Sequence, residues 1–85
     1  MNNYSSNMKQ IFVRNLEDWV YYLSPHGFSY GKIVTRILES DNSIKYRVRS
    51  IKSYKEYMGD EILDNEIFSN KEDMLEYYKK KIHEL

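Results

Sequence analysis

Eighty-five residues, a formal net charge of zero and no cysteine describe one small domain with a thin core. The missing thiols exclude a disulfide framework, a thiolate metal site and a cysteine nucleophile, and they fit a reducing, cytoplasmic setting. No apolar run approaches the roughly 20 residues that cross a bilayer, and Met1 to Met8 is too polar for an ordinary signal peptide, so no membrane partner is expected.

Residues 1–8 are rich in Asn and Ser and carry no period, which predicts a disordered tail ahead of a single domain over 9–85. Lys9 to Arg14 has the β-branched and aromatic content of a short strand. Asn15-Leu16-Glu17 supplies a turn. Asp18 to Ser24 is the second predicted strand. Side chains alternate across a strand, so Val20 and Tyr22 share one face while Trp19, Tyr21 and Leu23 share the other. Both faces are apolar, so both must touch something. With Val20 and Tyr22 in the core, Trp19 and Tyr21 are covered by a neighbouring segment or by a partner.

Ser24-Pro25-His26-Gly27 is a loop by its turn chemistry, flanked by Phe28 and Tyr30. His26 has no partner residues in its vicinity and reads as a surface position. Gly31 to Glu39 is the third strand, with Ile33, Thr35 and Ile37 opposing Val34, Arg36 and Leu38. Ser40 to Ser43 is a hairpin turn. Ile44 to Ile51 alternates most cleanly, placing Ile44, Tyr46 and Val48 inward and Lys45, Arg47 and Arg49 on a cationic stripe. Lys52 to Gly59 is irregular. Glu61 to Phe68 is a closing strand with interleaved acids, which discourage edge-to-edge pairing.

Ser69, three residues before Glu72, has capping-box spacing for a helix over about 70–83. Met74, Leu75, Tyr78 and Ile82 recur on one face, and Tyr78 and Ile82 are expected to lid the sheet. Lys79, Lys80 and Lys81 lie near the C-terminal end, where the helix dipole favours cations. The pattern is mainly β: five antiparallel strands in meander order, as a strongly bent sheet or partly open barrel, with one C-terminal α-helix.

The order of short motifs resembles a known group. Asp18 to Tyr22 (Asp-x-Val-Tyr-Tyr) is followed by Gly31 to Val34 (Gly-x-Ile-Val) and by Tyr46 to Val48. Ile67 to Leu75 (Ile-Phe-Ser-x-Lys-Glu-x-Met-Leu) comes last. From about Val13 to Tyr78 the chain resembles small SH3-like (Tudor- or KOW-like) barrel proteins of low-GC Gram-positive bacteria and their phages. The resemblance implies an SH3-like barrel and a binding module, and it carries no catalytic residues. It departs from the pattern at Glu17, where those proteins have glycine, so the turn is expected to use a conformation open to a non-glycine residue. It departs again at Trp19, which replaces a polar residue.

No constellation for catalysis stands out. The glycines are scattered turn positions, the two histidines have no ligand spacing, and Asp60, Glu61, Asp64 and Glu66 lack the glycine and alternating ligands of a calcium loop. The expectation is a non-enzymatic chain with no cofactor and no metal.

Binding remains, and two surfaces compete for it. Trp19, Tyr21 and Tyr30 form a candidate aromatic patch of the kind that anchors protein interfaces. A phage-like small protein of this composition, acting in a bacterial host cell, would use it to bind and inhibit a host protein such as a nuclease or defence effector. Alternatively Lys45, Arg47 and Arg49, continued by Lys52, Tyr54 and Lys55, would follow a nucleic-acid backbone or meet an acidic protein, unless they are simply a solvated face. Up to Lys55 nine basic residues face four acidic ones, and from Glu56 onward nine acidic face four basic, so the halves carry +5 and −5. Those halves meet either across a homodimer or within one monomer, and the sequence leaves both open.

Overall fold

In the computed structural model, which describes residues 12–52 and 58–84, the chain is a curled antiparallel half-barrel with one C-terminal helix. The described strands are β1 (Trp19–Ser24), β2 (Gly27–Leu38), β3 (Ile44–Ser50), β4 (Asp60–Leu63) and β5 (Ile67–Phe68), and the helix is α1 (Lys71–His83). They lie in the order β4-β3-β2-β1-β5. The meander is therefore as expected, and the expected closing strand over 61–68 is not one element. A 3-10 turn at Asp64–Glu66 breaks it, so β4 pairs with β3 while β5 crosses to pair with β1 at the opposite edge. A continuous strand cannot serve both edges of a curled sheet; the short turn makes the crossing.

The concave face holds the core. Val20, Tyr22, Ile33, Tyr46, Val48, Ile62 and Ile67 form one buried cluster, and Phe12 and Ile44 pack against it. Burying such side chains contributes about 1.5–3 kcal/mol each, which makes this cluster the main source of stability. The alternation predicted for β1 and β3 holds in full. In β2 it breaks at Val34. A bulge between Ile33 and Thr35 shifts the register, so Ile33 pairs with Val48 but Arg36 pairs with Tyr46 and Thr35 with Arg47. One extra residue inverts the pattern beyond it. Ile33 and Arg36 share the concave side, while Thr35 and Ile37 lie on the convex side with Arg47 and Lys45. Two bonds link the start of β2's bulge to the preceding turn: Glu17 N donates to Ile33 O (2.8 Å) and Ile33 N to Asp18 O (2.9 Å).

Several boundaries move from their expected places. β2 begins at Gly27 rather than Gly31, because Pro25 and His26 alone make the turn. Ser24 Oγ closes that turn, accepting from His26 N (3.1 Å) and donating to Gly27 O (3.0 Å), and Gly27 takes the φ of +118° that the reversal requires. Gly31 meets a different demand. It is buried between strands, and a Cβ there would lie 2.5 Å from Arg49 O. Glu17 does not avoid the glycine conformation: its φ is +71°, a region that costs an L-residue about 1–2 kcal/mol. The surrounding bonds from Asn15, Asp18 and Ile33 hold it there.

Phe12 to Arg14 forms no strand, a correction to the segment expected over 9–14; residues 9–11 and the tail over 1–8 lie outside the described residues. Instead Arg14 staples this segment across the open side of the half-barrel. Its backbone N donates to the Tyr46 hydroxyl (3.2 Å), and its guanidinium donates to Ile67 O (3.0 Å) and Ser69 Oγ (2.9 Å). Phe12 meets Tyr46 edge-on at 6.3 Å, with Arg36 over its ring at 5.1 Å. The N-cap of α1 is Asn70, not Ser69. Its Oδ1 accepts from Asp73 N (2.8 Å) and its Nδ2 donates to Asp73 Oδ2 (3.1 Å).

Helix α1 packs on the convex face, against β1 and β5. Met74 is its one buried residue, and Tyr77 and Tyr78 meet Phe68 and Phe28 through ring contacts of 5–6 Å (5.2 Å for Phe68–Tyr77 and 5.7 Å for Phe28–Tyr78). Burial raises the Tyr78 pKa, with Glu66 and Tyr77 adding to the rise. Ile82 is no lid: it is 69% exposed, and Leu75 is also exposed. Strand β5 is two residues long, so the helix outruns the surface it docks on. At its far end Lys81 Nζ sits over the Tyr77 ring at 5.2 Å.

Candidate binding face

The convex side of β1 and β2 assembles the aromatic patch expected from the sequence. Register places Tyr21 opposite Tyr30 and Trp19 opposite Lys32. The rings follow: Trp19 stacks on Tyr30 with centroids 5.2 Å apart at 24°, and Tyr21 leans on Tyr30 at 4.5 Å. Lys32 Nζ stands 5.9 Å from the Trp19 ring centre. Such pairs contribute about 0.5–1.5 kcal/mol beyond simple burial and hold the three rings in one arrangement. Trp19 nevertheless remains 44% exposed.

The strip continues past the three expected residues. Tyr21 is opposite Phe68 on β5, and Ile51 N donates to Tyr30 O (3.0 Å), so one row crosses the sheet as Phe68, Tyr21, Tyr30, Ile51. Helix α1 covers its β5 end. The uncovered remainder opens into a groove of about 370 Å³ between the sheet and the first turn of the helix. Tyr21, Tyr30, Phe28 and Met74 make its apolar lining, and Lys52 and Lys71 stand beside them. Phe28, Met74, Ile51 and the two lysines were not recognised as one site from the sequence. A signal for Phe28 existed: a two-residue Pro25-His26 turn puts it in phase with Tyr30. Nothing in the sequence brings Met74 and Lys71, some 40 residues later, to the same place.

The basic stripe has a different fate. Arg47 Nη2 pairs with Glu61 Oε2 at 2.8 Å, directly across the β3–β4 ladder, and Lys45 Nζ lies 3.9 Å from Glu39 Oε2. Of the two ways the oppositely charged halves were expected to meet, contact within one chain is realised by Arg47 with Glu61, whereas Glu39 belongs to the same half as Lys45. Arg49 shares a row with Lys32 and Trp19 instead. Tyr54 and Lys55 lie outside the described residues. Beside the paired residues, Glu39, Asp41, Glu61 and Glu66 line an open cleft of about 570 Å³ with Lys45. The Asp41 carboxyl is held below its usual range, chiefly by hydrogen bonds from the Ser43 hydroxyl and backbone. Among the described residues no three His, Asp or Glu side chains are grouped to hold a metal ion, and no helix is long and apolar enough to cross a membrane.

Comparison with protein-family models, curated proteins and solved structures yields no match, so the site must be read from its own chemistry.

Proposed function

We propose that this chain is a non-enzymatic protein-binding module and that Trp19, Tyr21 and Tyr30 form the centre of its contact surface. The observation that carries the reading is a tryptophan left 44% exposed on a face whose other half is already sealed by a helix. A large ring pre-positioned by stacking loses little side-chain freedom on binding, which is why tryptophan and tyrosine dominate interface energetics. The resemblance to SH3-like binding barrels points the same way. Inhibition of a bound host protein, such as a nuclease or defence effector, is the form of action this reading favours for so small a chain.

A nucleic-acid role for Lys45, Arg47 and Arg49 has weaker support. Lys45 and Arg47 are engaged with carboxylates, and the adjoining acidic cleft repels a phosphate backbone. The test is a nuclease-treated pull-down from host lysate with tagged wild-type and Trp19→Ala protein. A discrete protein retained by the wild type and lost by the variant supports the module. Recovery that depends on nucleic acid and on Arg47 and Arg49 overturns it.

A further inference from the structure

The groove beside the aromatic strip differs from the rest of the surface in its charge. Among the described residues its lining contains two ammonium groups, Lys52 and Lys71, and no carboxylate. Neither lysine makes an ion pair among the described residues, whereas Lys45 and Arg47 both do. Lys32 extends the cationic rim along Trp19. Between the lysines lies apolar and aromatic surface: Tyr21, Tyr30, Phe28 and Met74. Four carboxylates are gathered elsewhere, in the cleft of Glu39, Asp41, Glu61 and Glu66. A partner steered by this field approaches with negative charge toward the groove and away from the cleft.

We infer that the groove takes an acidic linear segment of a partner protein, with one large apolar side chain seated on Phe28 and Tyr30 and flanking carboxylates paired to Lys52 and Lys71. This rests on the protein-binding reading of the same face and adds the partner's chemistry. Charge complementarity at a groove rim acts mostly on encounter rate and on the choice of partner, while the buried apolar anchor supplies the affinity. The arrangement suits a peptide better than a nucleic acid because the cationic surface is short and ends in apolar groups. A polynucleotide needs a longer run of positive charge to gain from counterion release.

The test selects random dodecapeptides from a displayed library on the full chain, alongside an oligothymidylate competitor. Selected peptides should carry one large apolar residue between aspartates or glutamates. They should shift the backbone amides of Tyr30, Ile51, Lys52, Lys71 and Met74 in nitrogen-15 spectra. The Lys52→Glu/Lys71→Glu double variant should bind them at least about tenfold more weakly, with Lys52→Gln/Lys71→Gln in between. Both lysines are exposed, and an unchanged thermal melt confirms that each variant is folded.

Peptides that bind this face without acidic residues, and are indifferent to the charge reversal, overturn the inference and leave the protein-binding reading standing. Displacement of the selected peptides by oligothymidylate assigns the groove to nucleic acid and overturns it as well. A library that yields no binder to this face overturns the inference and leaves the protein-binding reading to the pull-down, because a folded partner need present no linear segment.

Discussion

The two faces of the sheet are both built from aromatic residues, and they are closed in different ways. On the concave side Tyr22 and Tyr46 are fully buried with Ile33, Val20 and Val48, because the sheet curls around them and Phe12 packs on the remaining opening. On the convex side no curl is available. One 13-residue helix covers β5 and part of β1, and Trp19, Tyr21 and Tyr30 stay at its margin. The same residue type therefore acts as filler on one face and as accessible surface on the other. Curvature and cover decide which.

The sharpest way to break that comparison is truncation on each side. Ile33→Ala should cost about 2–5 kcal/mol of stability in a denaturant titration, since it opens a cavity among fully buried neighbours. Trp19→Ala should cost about 0.5–1.5 kcal/mol of stability, the worth of its ring contacts, but about 2 kcal/mol or more of partner binding by calorimetry. Equal stability losses at the two sites would place Trp19 in the core and remove the anchor of the proposed function.

A smaller effect lies in the turn that leads into the convex face. Glu17→Gly should stabilise the fold by about 0.5–1 kcal/mol, because the left-handed φ is relieved by more than the added freedom of the unfolded chain takes back. A melting temperature that falls instead would mean the Glu17 side chain contributes something its backbone geometry conceals.

The concave tyrosine also leaves a mark at high pH. Burial raises the Tyr46 pKa above its ordinary 10.0, opposed by the bond from Arg14 N and reinforced by the nearby Asp64 carboxylate. A folded-state pKa raised above the unfolded value favours the protonated fold. The resulting stabilisation is complete below about pH 10 and is lost as pH rises through the folded-state value. Stability should therefore decline above pH 10, and Tyr46→Phe should flatten part of that decline in a pH series of melts.

Much of this was legible in the chain. The alternation of Val20 and Tyr22 against Trp19 and Tyr21 named both faces of β1 correctly, and Ile44 to Ile51 named those of β3 up to Ser50. The aromatic patch follows from the first of these, because Tyr30 pairs across a tight turn and register is local. The bulge at Val34 was not legible, since an inserted residue is invisible to a pattern of period two. The split of 61–68 was hidden because Asp64, Asn65 and Glu66 read equally well as an acidic edge.

What the sequence determined alone is the three central strands, the helix and the side each residue of β1 presents, all of which depend on neighbours a few positions apart. Tertiary structure decided the rest. It joined Arg14 to the Ser69 hydroxyl, 55 residues away, beside the helix start that Asn70 caps. It paired Arg47 with Glu61, and it carried Lys71 and Met74 to the edge of Tyr30. These are meetings between residues distant in sequence. No local period encodes them, and only the curl of the sheet and the docking of the helix bring them about.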